Sequence, residues 1–303
     1  MLILGATGVG KTELALRVAE RIGSPIVSCD SRQIFQEIPV GTAAPTADEQ
    51  ARVKHYFVGT RSVRDEYSAG QYEREAIALL EKLFATHDII VMTGGSMLYA
   101  DAVCKGLDEL PTIPDAIRSE VQQQYHERGL EWLQHEVEQI DPDYSEIVDR
   151  SNPARLIHCI EICRATGGTY SSLRTNRVKE RPFRIVKIGL ERDRDALYNR
   201  INRRVEQMMA HGLLEEAKAV YPLRALTSLQ TVGYRELFGY LDGEYGLDRA
   251  VALIQQNTRH YAKRQMTWFR RDNEIYWLDA NTDYETNIHI INRLLSDSGV
   301  QEE

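Results

Sequence analysis

The chain has 303 residues, of which 43% are hydrophobic and 27% charged, and its formal net charge is −8 at pH 7. This composition is typical of a water-soluble, core-forming protein and excludes disordered and collagen-like chains. No apolar run reaches the roughly 18 residues of a membrane span, the first residues predict no secretion signal, and four cysteines favour a reducing cytoplasm over a disulfide framework.

A glycine-rich loop follows the first predicted strand. Residues 5–12 read GATGVGKT, which fits G-x-x-x-x-G-K-S/T, and a helical apolar pattern follows until Gly23. Strand, loop and helix in this order form a P-loop, in which backbone N–H groups and the helix N-terminus bind polyphosphate. Lys11 is expected to neutralise the outer phosphate, and the Thr12 hydroxyl to ligate Mg²⁺. The predicted phosphate-binding residues are Gly5, Ala6, Thr7, Gly8, Val9, Gly10, Lys11 and Thr12.

Two further predicted strands end in polar residues. The strand at 25–30 ends in Asp30, and the strand at 89–92 leads into Thr93 and Ser96, with a crossover helix at 72–85 between them. Alternating strands and helices predict a parallel sheet with ligands at the carboxyl ends of its strands. The loops at 5–12, 30–33 and 93–96 should therefore converge on one crevice. A strand-end acid such as Asp30 indicates a general base or a Mg²⁺ ligand, and a helix cap is the alternative.

The middle of the chain is helical. The pattern predicts helices at 115–129, 130–140 and 153–166, the last one capped by Asn152 and ended by Gly167. Because no strand pattern interrupts them, we expect an inserted all-helical lobe at 112–181. The remaining segments, 1–111 and 182–303, should form an α/β, P-loop NTPase-like core with a parallel sheet flanked by helices.

The rest of the chain predicts a strand at 183–188, helices at 194–211 and 247–271, and a strand at 275–278. Basic and aromatic residues alternate near the end of the second helix. Lys263, Arg264 and Arg270 lie there beside Trp268 and Phe269, a combination that can hold phosphates and stack bases. A solvated helix face with core aromatics is the alternative.

The residues alone leave the chemistry open. A phosphate loop, Mg²⁺ and a strand-end acid indicate group transfer to a small acceptor, as in a nucleoside or metabolite kinase. The strand before Thr93 lacks the acid of a second metal motif, which argues against a hydrolysis motor. Cys159 and Cys163 are expected to be buried small side chains rather than metal ligands, since no second pair stands at zinc-like spacing.

A resemblance separates these alternatives. Several segments resemble, in order along nearly the whole chain, the motifs of tRNA dimethylallyltransferases, and no cysteine- and histidine-bearing finger follows the core, as in bacterial members. These segments are DSRQ at 30–33, GTAAPT at 41–46, YSA at 67–69, GGSMLY at 94–99, VGYR at 232–235 and YAKRQMTWFR at 261–270. Kinases that share the P-loop lack the later segments. Ala44, Ala154, His158 and Gln230 depart from residues seen in relatives.

The resemblance implies transfer of a dimethylallyl group from dimethylallyl diphosphate to the exocyclic amine of the adenosine 3′ of the anticodon. It implies Asp30 as the base, with Lys11, Thr7, Ser96 and Arg204 also catalytic, and Arg200 and Arg204 as a diphosphate clamp. The implied tRNA contacts are Asp30, Ser31, Arg32, Gln33, Ser96, Arg118, Arg155, Gly233, Tyr234, Arg235, Lys263, Arg264, Gln265, Met266, Thr267, Trp268, Phe269 and Arg270.

The expected partners are therefore the tRNA anticodon stem-loop, dimethylallyl diphosphate and Mg²⁺, for a monomer with no membrane contact. Two other functions compete with this one. A small-molecule kinase would use the same loop for ATP, and a non-catalytic RNA-binding protein would keep the loop without turnover.

Overall fold

A computed structural model describes residues 1–297 of the chain. Its sheet has six parallel strands in the order β3-β2-β4-β1-β5-β6, as expected for an α/β, P-loop-type core. The strands are β1 (Leu2–Gly5), β2 (Ile26–Ser28), β3 (His55–Tyr56), β4 (Val91–Thr93), β5 (Lys187–Glu191) and β6 (Ile275–Asp279). The helices are α1 (Lys11–Ile22), α2 (Pro39–Thr42), α3 (Ala47–Arg52), α4 (Ala69–Leu83), α5 (Met97–Cys104), α6 (Asp115–Ile140), α7 (Pro142–Ile147), α8 (Pro153–Thr166), α9 (Tyr170–Leu173), α10 (Arg194–Ala210), α11 (Leu213–Val220), α12 (Tyr234–Leu241), α13 (Leu247–Phe269) and α14 (Tyr284–Asp297).

The sheet is covered on both faces, so its central strands are apolar throughout. In β1, Ile3 packs into one hydrophobic cluster with residues of α1 and α14, while Leu2 and Leu4 pack into another with residues of α4 and α5. Successive side chains of a strand point to opposite faces, and a parallel sheet buries both of them. This packing places the carboxyl ends of the strands, and the loops that follow them, at one edge of the sheet.

The predicted elements with clear end signals are confirmed. Helix α1 ends at Gly23 in a left-handed conformation, and α8 begins at Pro153 with the Asn152 side chain accepting from the Arg155 N–H. The predicted boundary at Gly129 is also present, because this residue has non-helical dihedral angles (φ 75°, ψ −168°) inside α6. Local capping chemistry determines these ends, so the sequence carries the signal.

The strand predicted at 183–188 is partly wrong. Strand β5 begins only at Lys187, and the ring of Phe183 stacks on that of Phe84 with 5.4 Å between centroids. The alternation of apolar and polar residues that begins at position 183 therefore reflects side-chain packing of the segment before the strand. Lys187 itself is buried, and its ammonium donates to Asp272 (2.8 Å) and Glu274 (2.6 Å), which lets a charged residue occupy an interior strand.

The chain divides into two compact units. One comprises Met1–Cys104 together with the chain from Arg181 onward, and the other is Lys105–Glu180. The second unit is all-helical and has its own hydrophobic core. Its core residues are Val121, Leu133, Val137, Tyr144, Leu156, Ile157, Cys159, Ile160 and Cys163. The lobe bounds of 112–181 and the role of this unit in tRNA binding stay predictions.

Candidate active site

One cavity of about 440 Å³ lies in the α/β unit at the carboxyl ends of its strands. The strand-end loops, defined here as residues 5–12, 30–33 and 93–96, contribute to it side by side, as the strand order requires. Their lining residues are Thr7, Lys11, Thr12, Asp30, Ser31, Arg32, Gln33, Thr93, Gly94 and Gly95. Three segments distant in sequence thus meet around one space.

The loop after β1 has the backbone of a phosphate cradle. Gly8 (φ 79°) and Gly10 (φ 120°) both have positive φ, which side-chain-bearing residues rarely adopt, so the motif needs glycine there. Helix α1 begins at Lys11 without a side-chain cap on its N-terminal amides. Uncapped N–H groups and the positive end of the helix dipole favour an anion at this position.

Lys11 lies across this loop. Its ammonium donates to the carbonyl oxygens of Gly5 (2.9 Å) and Ala6 (2.8 Å). Burial, and after it the positive charge of Arg204, lowers the pKa of Lys11 to about 8, while Asp30 opposes this shift. A cation that is poorly solvated and held beside another cation gains stability when a polyphosphate arrives.

The two arginines predicted to clamp the diphosphate both reach the loop from α10, one helical turn apart. The Arg204 guanidinium approaches the Thr7 hydroxyl (Nη1–Oγ1 3.4 Å) and lines the cavity. Arg200 is exposed and its Nε donates to the Gly8 carbonyl (2.9 Å). Burial lowers the pKa of Arg204, and the Asp30 carboxylate partly offsets this decrease. Arg204 therefore faces the cavity, and Arg200 lies on the outside of the same loop.

Asp30 both caps a turn and faces the cavity. One carboxylate oxygen, Oδ1, accepts from the N–H groups of Arg32 (2.9 Å) and Gln33 (3.3 Å). The other, Oδ2, lies toward Gly95, 3.8 Å from where a β-carbon would stand. The alternative from the sequence was a helix cap, whereas Asp30 caps a turn at 31–34 and keeps a second oxygen beside the cavity.

Ser96 joins the second and third strand-end loops. Its hydroxyl accepts from the Ser31 N–H (2.8 Å) and donates to the Ser31 hydroxyl (3.0 Å). Tyr261 on α13 approaches the carbonyl of Gly95 (3.5 Å), and burial, with Asp30 as a second cause, raises its pKa to about 12. The part of the cavity around Asp30 is thus bordered by polar groups of the second and third strand-end loops and of α13.

The segment that resembles G-T-A-K-P-T forms a short turn held from two sides. The Gln33 side-chain amide donates to the carbonyls of Thr42 (3.2 Å) and Ala43 (2.9 Å). The Glu216 carboxylate accepts from the N–H groups of Val40 and Gly41, at 2.8 Å each. Glu216 carries no functional signal in the sequence, because an acid beside Glu215 is typical of a solvated helix face.

Tyr234 was predicted to contact tRNA, and its side chain is fully buried. Its hydroxyl contacts the Glu216 carboxylate and the Ile38 carbonyl. Its neighbour Gly233 is also buried but lines the cavity, and Arg235 is exposed and lines it too. In this segment the arginine has an accessible side chain, whereas the tyrosine supports the turn at 39–43.

The basic tract, residues 263–270 at the end of α13, splits into two faces. Its exposed residues are Lys263, Arg264, Thr267 and Arg270, and Met266 and Trp268 are half-buried. Gln265 and Phe269 are only 1% and 3% exposed, so these two predicted tRNA contacts have almost no accessible surface, and Gln265 borders the cavity from within. Arg264 also lines the cavity, next to the ring of Tyr261. Arg270 pairs with Glu191, and Trp268 donates to Asp101.

Arg118 and Arg155 belong to the helical unit and lie on α6 and α8. The positive charge of Arg118 lowers the pKa of His158, after the larger effect of burial, and it opposes the burial that raises the pKa of Glu161. Arg118 therefore lies near both side chains on the surface of this unit. Its contact with tRNA, like that of Arg155, stays a prediction.

Metal donors are sparse in the cavity. Thr12 and Asp30 offer a hydroxyl and a carboxylate, and this pair fits Mg²⁺, which binds proteins through few ligands together with substrate phosphates and water. Within residues 1–297, the one cluster of three His, Cys, Asp or Glu donors is Asp141, Cys159 and Cys163. Asp141 already accepts from Tyr144 and Ser171, and both cysteines are buried.

Among the residues that the structure describes, no helix combines the length and the apolar character needed to cross a membrane.

Comparisons with known proteins agree with one another. The family described as IPP transferase matches residues 33–272. The tRNA dimethylallyltransferase 2 of Parabacteroides distasonis is 54% identical over 97% of this chain and 99% of its own length. The tRNA dimethylallyltransferase 1 of Bacteroides thetaiotaomicron is 55% identical over 94% of this chain and 92% of its own.

Solved structures are similar as well. The full-length tRNA isopentenylpyrophosphate transferase of Bacillus halodurans has a TM-score of 0.72 at 32% identity, covering 98% of this chain and 95% of its own. A eukaryotic dimethylallyltransferase acting on tRNA has a TM-score of 0.78 at 21% identity, covering all of this chain and 80% of its own, which shows a shared fold.

Proposed function

The chain belongs to the IPP transferase family of tRNA dimethylallyltransferases, and from this premise we propose its reaction. It transfers a dimethylallyl group from dimethylallyl diphosphate to the exocyclic amine of the adenosine immediately 3′ of the anticodon. One observation carries the proposal: a single cavity is lined both by a phosphate loop with Lys11 and Arg204 and by Asp30 with Ser31.

The donor binds through its diphosphate. The amides at the start of α1 and the side chains of Lys11 and Arg204 would contact the phosphate oxygens, with charge-assisted hydrogen bonds. As the allylic carbon–oxygen bond breaks, negative charge grows on the leaving diphosphate and positive character grows on carbon. These preorganised cations and amides stabilise the leaving group more in the transition state than in the bound donor, because more negative charge has developed on it by then.

Mg²⁺ would be held by the Thr12 hydroxyl, and when bound it supplies further positive charge to the diphosphate. The half-buried Asp30 carboxylate is close enough to Lys11 and Arg204 to affect the pKa of both, so it also limits the net positive charge of this side of the cavity. We therefore assign the metal to the donor side of the cavity.

On the acceptor side, the amine nitrogen attacks the allylic carbon, a carbon–nitrogen bond forms, and diphosphate departs with the carbon–oxygen electron pair. The amine then loses one proton. We assign this proton to Asp30 Oδ2, and the assignment is supported by the engagement of Oδ1 with the N–H groups of Arg32 and Gln33. Ser96 holds Ser31 and so keeps this turn against the third strand-end loop.

The acceptor base must leave the anticodon stack to reach a cavity, which is the usual behaviour of enzymes that modify bases. We assign the rim to Arg235 and Arg264, because both are exposed and line the cavity. Lys263 continues this basic edge along α13. The helical unit, through Arg118 and Arg155, is proposed to contact the same RNA.

Incubation of the protein with labelled dimethylallyl diphosphate and unmodified tRNA tests the proposal. Label in the RNA, located by nuclease mapping at the adenosine 3′ of the anticodon, is the expected result. Consumption of ATP with a metabolite acceptor would instead indicate a kinase, and tRNA retention without turnover would indicate a binding protein. We also propose that the protein acts as a monomer in the cytoplasm, in keeping with a chain that has only four cysteines.

A further inference from the structure

Gln265 joins two of the strand-end loops from inside the protein. It lies on α13 with its side chain 1% exposed. Its Oε1 accepts from the Thr7 N–H (2.9 Å), and its Nε2 donates to the Gly95 carbonyl (2.7 Å). Both partners are backbone atoms, one in the phosphate loop after β1 and the other in the loop after β4.

The site is shaped for an amide. A β-carbon at Gly95 would stand 2.5 Å from Gln265 Nε2, so the close approach depends on glycine at this position. The neighbours of Gln265 on the buried face of α13, Ala262 and Phe269, are apolar. A buried polar side chain is unfavourable unless its hydrogen bonds are made, and here one side chain supplies both an acceptor and a donor to partners that need each.

These bonds connect the donor side to the acceptor side of the cavity. Thr7 is held through its N–H by Gln265, and its hydroxyl faces Arg204. Gly95 precedes Ser96, which bonds to Ser31 next to Asp30. One side chain thus links the phosphate loop to the loop after β4, in addition to the pairing of β1 with β4, and its two hydrogen bonds hold Thr7 and Gly95 where the loops leave their strands.

We propose that Gln265 is a positioning residue that fixes the diphosphate loop relative to the Asp30–Ser96 acceptor side, and this inference rests on the proposed function. Transfer requires the allylic carbon and the amine nitrogen to lie about 3–3.5 Å apart, and a misplacement of about 1 Å can lower a rate about 100-fold. Gln265 borders the cavity but has both ends of its amide bonded to loop backbone, so it acts on the transfer step through the two loops. Its motif position alone had predicted a tRNA contact.

The test compares Gln265→Glu and Gln265→Leu with the wild type in single-turnover transfer from pH 6 to pH 9. An ionised Glu accepts from the Thr7 N–H but cannot donate to the Gly95 carbonyl, whereas a protonated Glu does both. Burial and the facing carbonyl favour the protonated form. The rate ratio of Gln265→Glu to wild type should therefore rise as the pH falls, by up to tenfold per unit, from about 10⁻² at pH 9.

The leucine variant and a matched glutamine serve as controls. Gln265→Leu should lose about 100-fold at every pH, with a flat ratio to the wild type. Gln255, on the same helix, bonds to the Asn202 carbonyl away from the loops, and Gln255→Glu should keep a ratio near one. Titratable groups next to the two bonded loop residues include Asp30 and Tyr261 beside Gly95 and Arg204 beside Thr7. Division by the wild-type rate removes their common contribution.

Binding measurements separate positioning from other roles. Calorimetry with inorganic diphosphate, and filter binding with tRNA, should give dissociation constants within about threefold of wild type for both variants. A rate ratio of Gln265→Glu to wild type that does not change with pH would overturn the inference, and so would a wild-type transfer rate for Gln265→Leu. A variant whose main defect is weaker tRNA binding would also overturn it. If Gln265→Leu does not fold, the pH dependence of the Gln265→Glu transfer rate still tests the inference. Absence of transfer by the wild type would instead contradict the proposed function.

Discussion

The strand-end loops and the basic tract at the end of α13 were both identified from short motifs, but they differ in how many of their motif residues are accessible. In the loops, consecutive residues face the same space: Asp30, Ser31, Arg32 and Gln33 all line the cavity. In the tract, Lys263 and Arg264 are exposed whereas Gln265 is buried. A loop can present neighbouring residues together, but residues in a helix are separated by about 100°, so a contiguous helical motif necessarily combines two environments.

The strongest test of the loop side is Asp30→Asn. Asparagine keeps an oxygen to accept from Arg32 and Gln33, so the turn should persist while the base is lost. Single-turnover transfer should fall by about 10²–10⁴, with tRNA and inorganic diphosphate still bound. Near-normal turnover would remove Asp30 from the role of base.

The buried face of the tract is tested by Phe269→Ala. Phe269 packs in the cluster that covers one face of the sheet, so its truncation should lower the free energy of unfolding by about 3–5 kcal/mol. Urea denaturation measures this change. The matched control is Thr267→Ala on the exposed face, which should stay within about 0.5 kcal/mol of wild type. Equal effects of the two variants would contradict the division into two faces.

The pH dependence of diphosphate binding tests the role of Lys11 in the phosphate loop. The pKa of Lys11 is lowered to about 8, and the protonated ammonium is the form that binds diphosphate. Above pH 8 the free protein loses this proton and must take it up again on binding. The affinity for inorganic diphosphate should therefore fall as the pH rises above 8, by up to tenfold per unit. Isothermal titration calorimetry from pH 7 to pH 10 measures this.

Lys11→Met provides the comparison for that series. It should bind diphosphate more weakly at pH 7 and lose the additional pH dependence above pH 8. A variant profile parallel to that of the wild type would show that another group titrates.

The smallest expected effect concerns the exposed face of the tract. Lys263→Ala should weaken tRNA binding several-fold and reduce the slope of log affinity against log salt by about one, because one phosphate contact is lost. Diphosphate binding should not change. Lys218→Ala on α11, another exposed lysine, should leave the slope as it is. An unchanged slope for Lys263→Ala would indicate that this face is an ordinary solvated surface that does not contact tRNA.

Local signals explain what the sequence predicted well. The P-loop, the caps of α8 and the break at Gly129 depend on residues within a few positions of one another. Contacts across long stretches of chain left no such signal. Glu216 holds Val40 and Gly41 from more than 170 positions away, and Gln265 reaches Thr7 across 258. The late start of β5 has the same origin, since Phe183 packs on Phe84 before the strand begins.

The position of β1 in the sheet has a consequence for how the chain acquires its structure during synthesis. This first strand pairs with β4 on one side and with β5 on the other, so it lacks its second neighbour until residues 187–191 have emerged from the ribosome. At about 5–20 residues per second, translation of the chain between them lasts roughly 10–40 seconds. During that interval the helical unit, whose contacts are local, can complete its own core. The strand before the phosphate loop still lacks its pairing with β5.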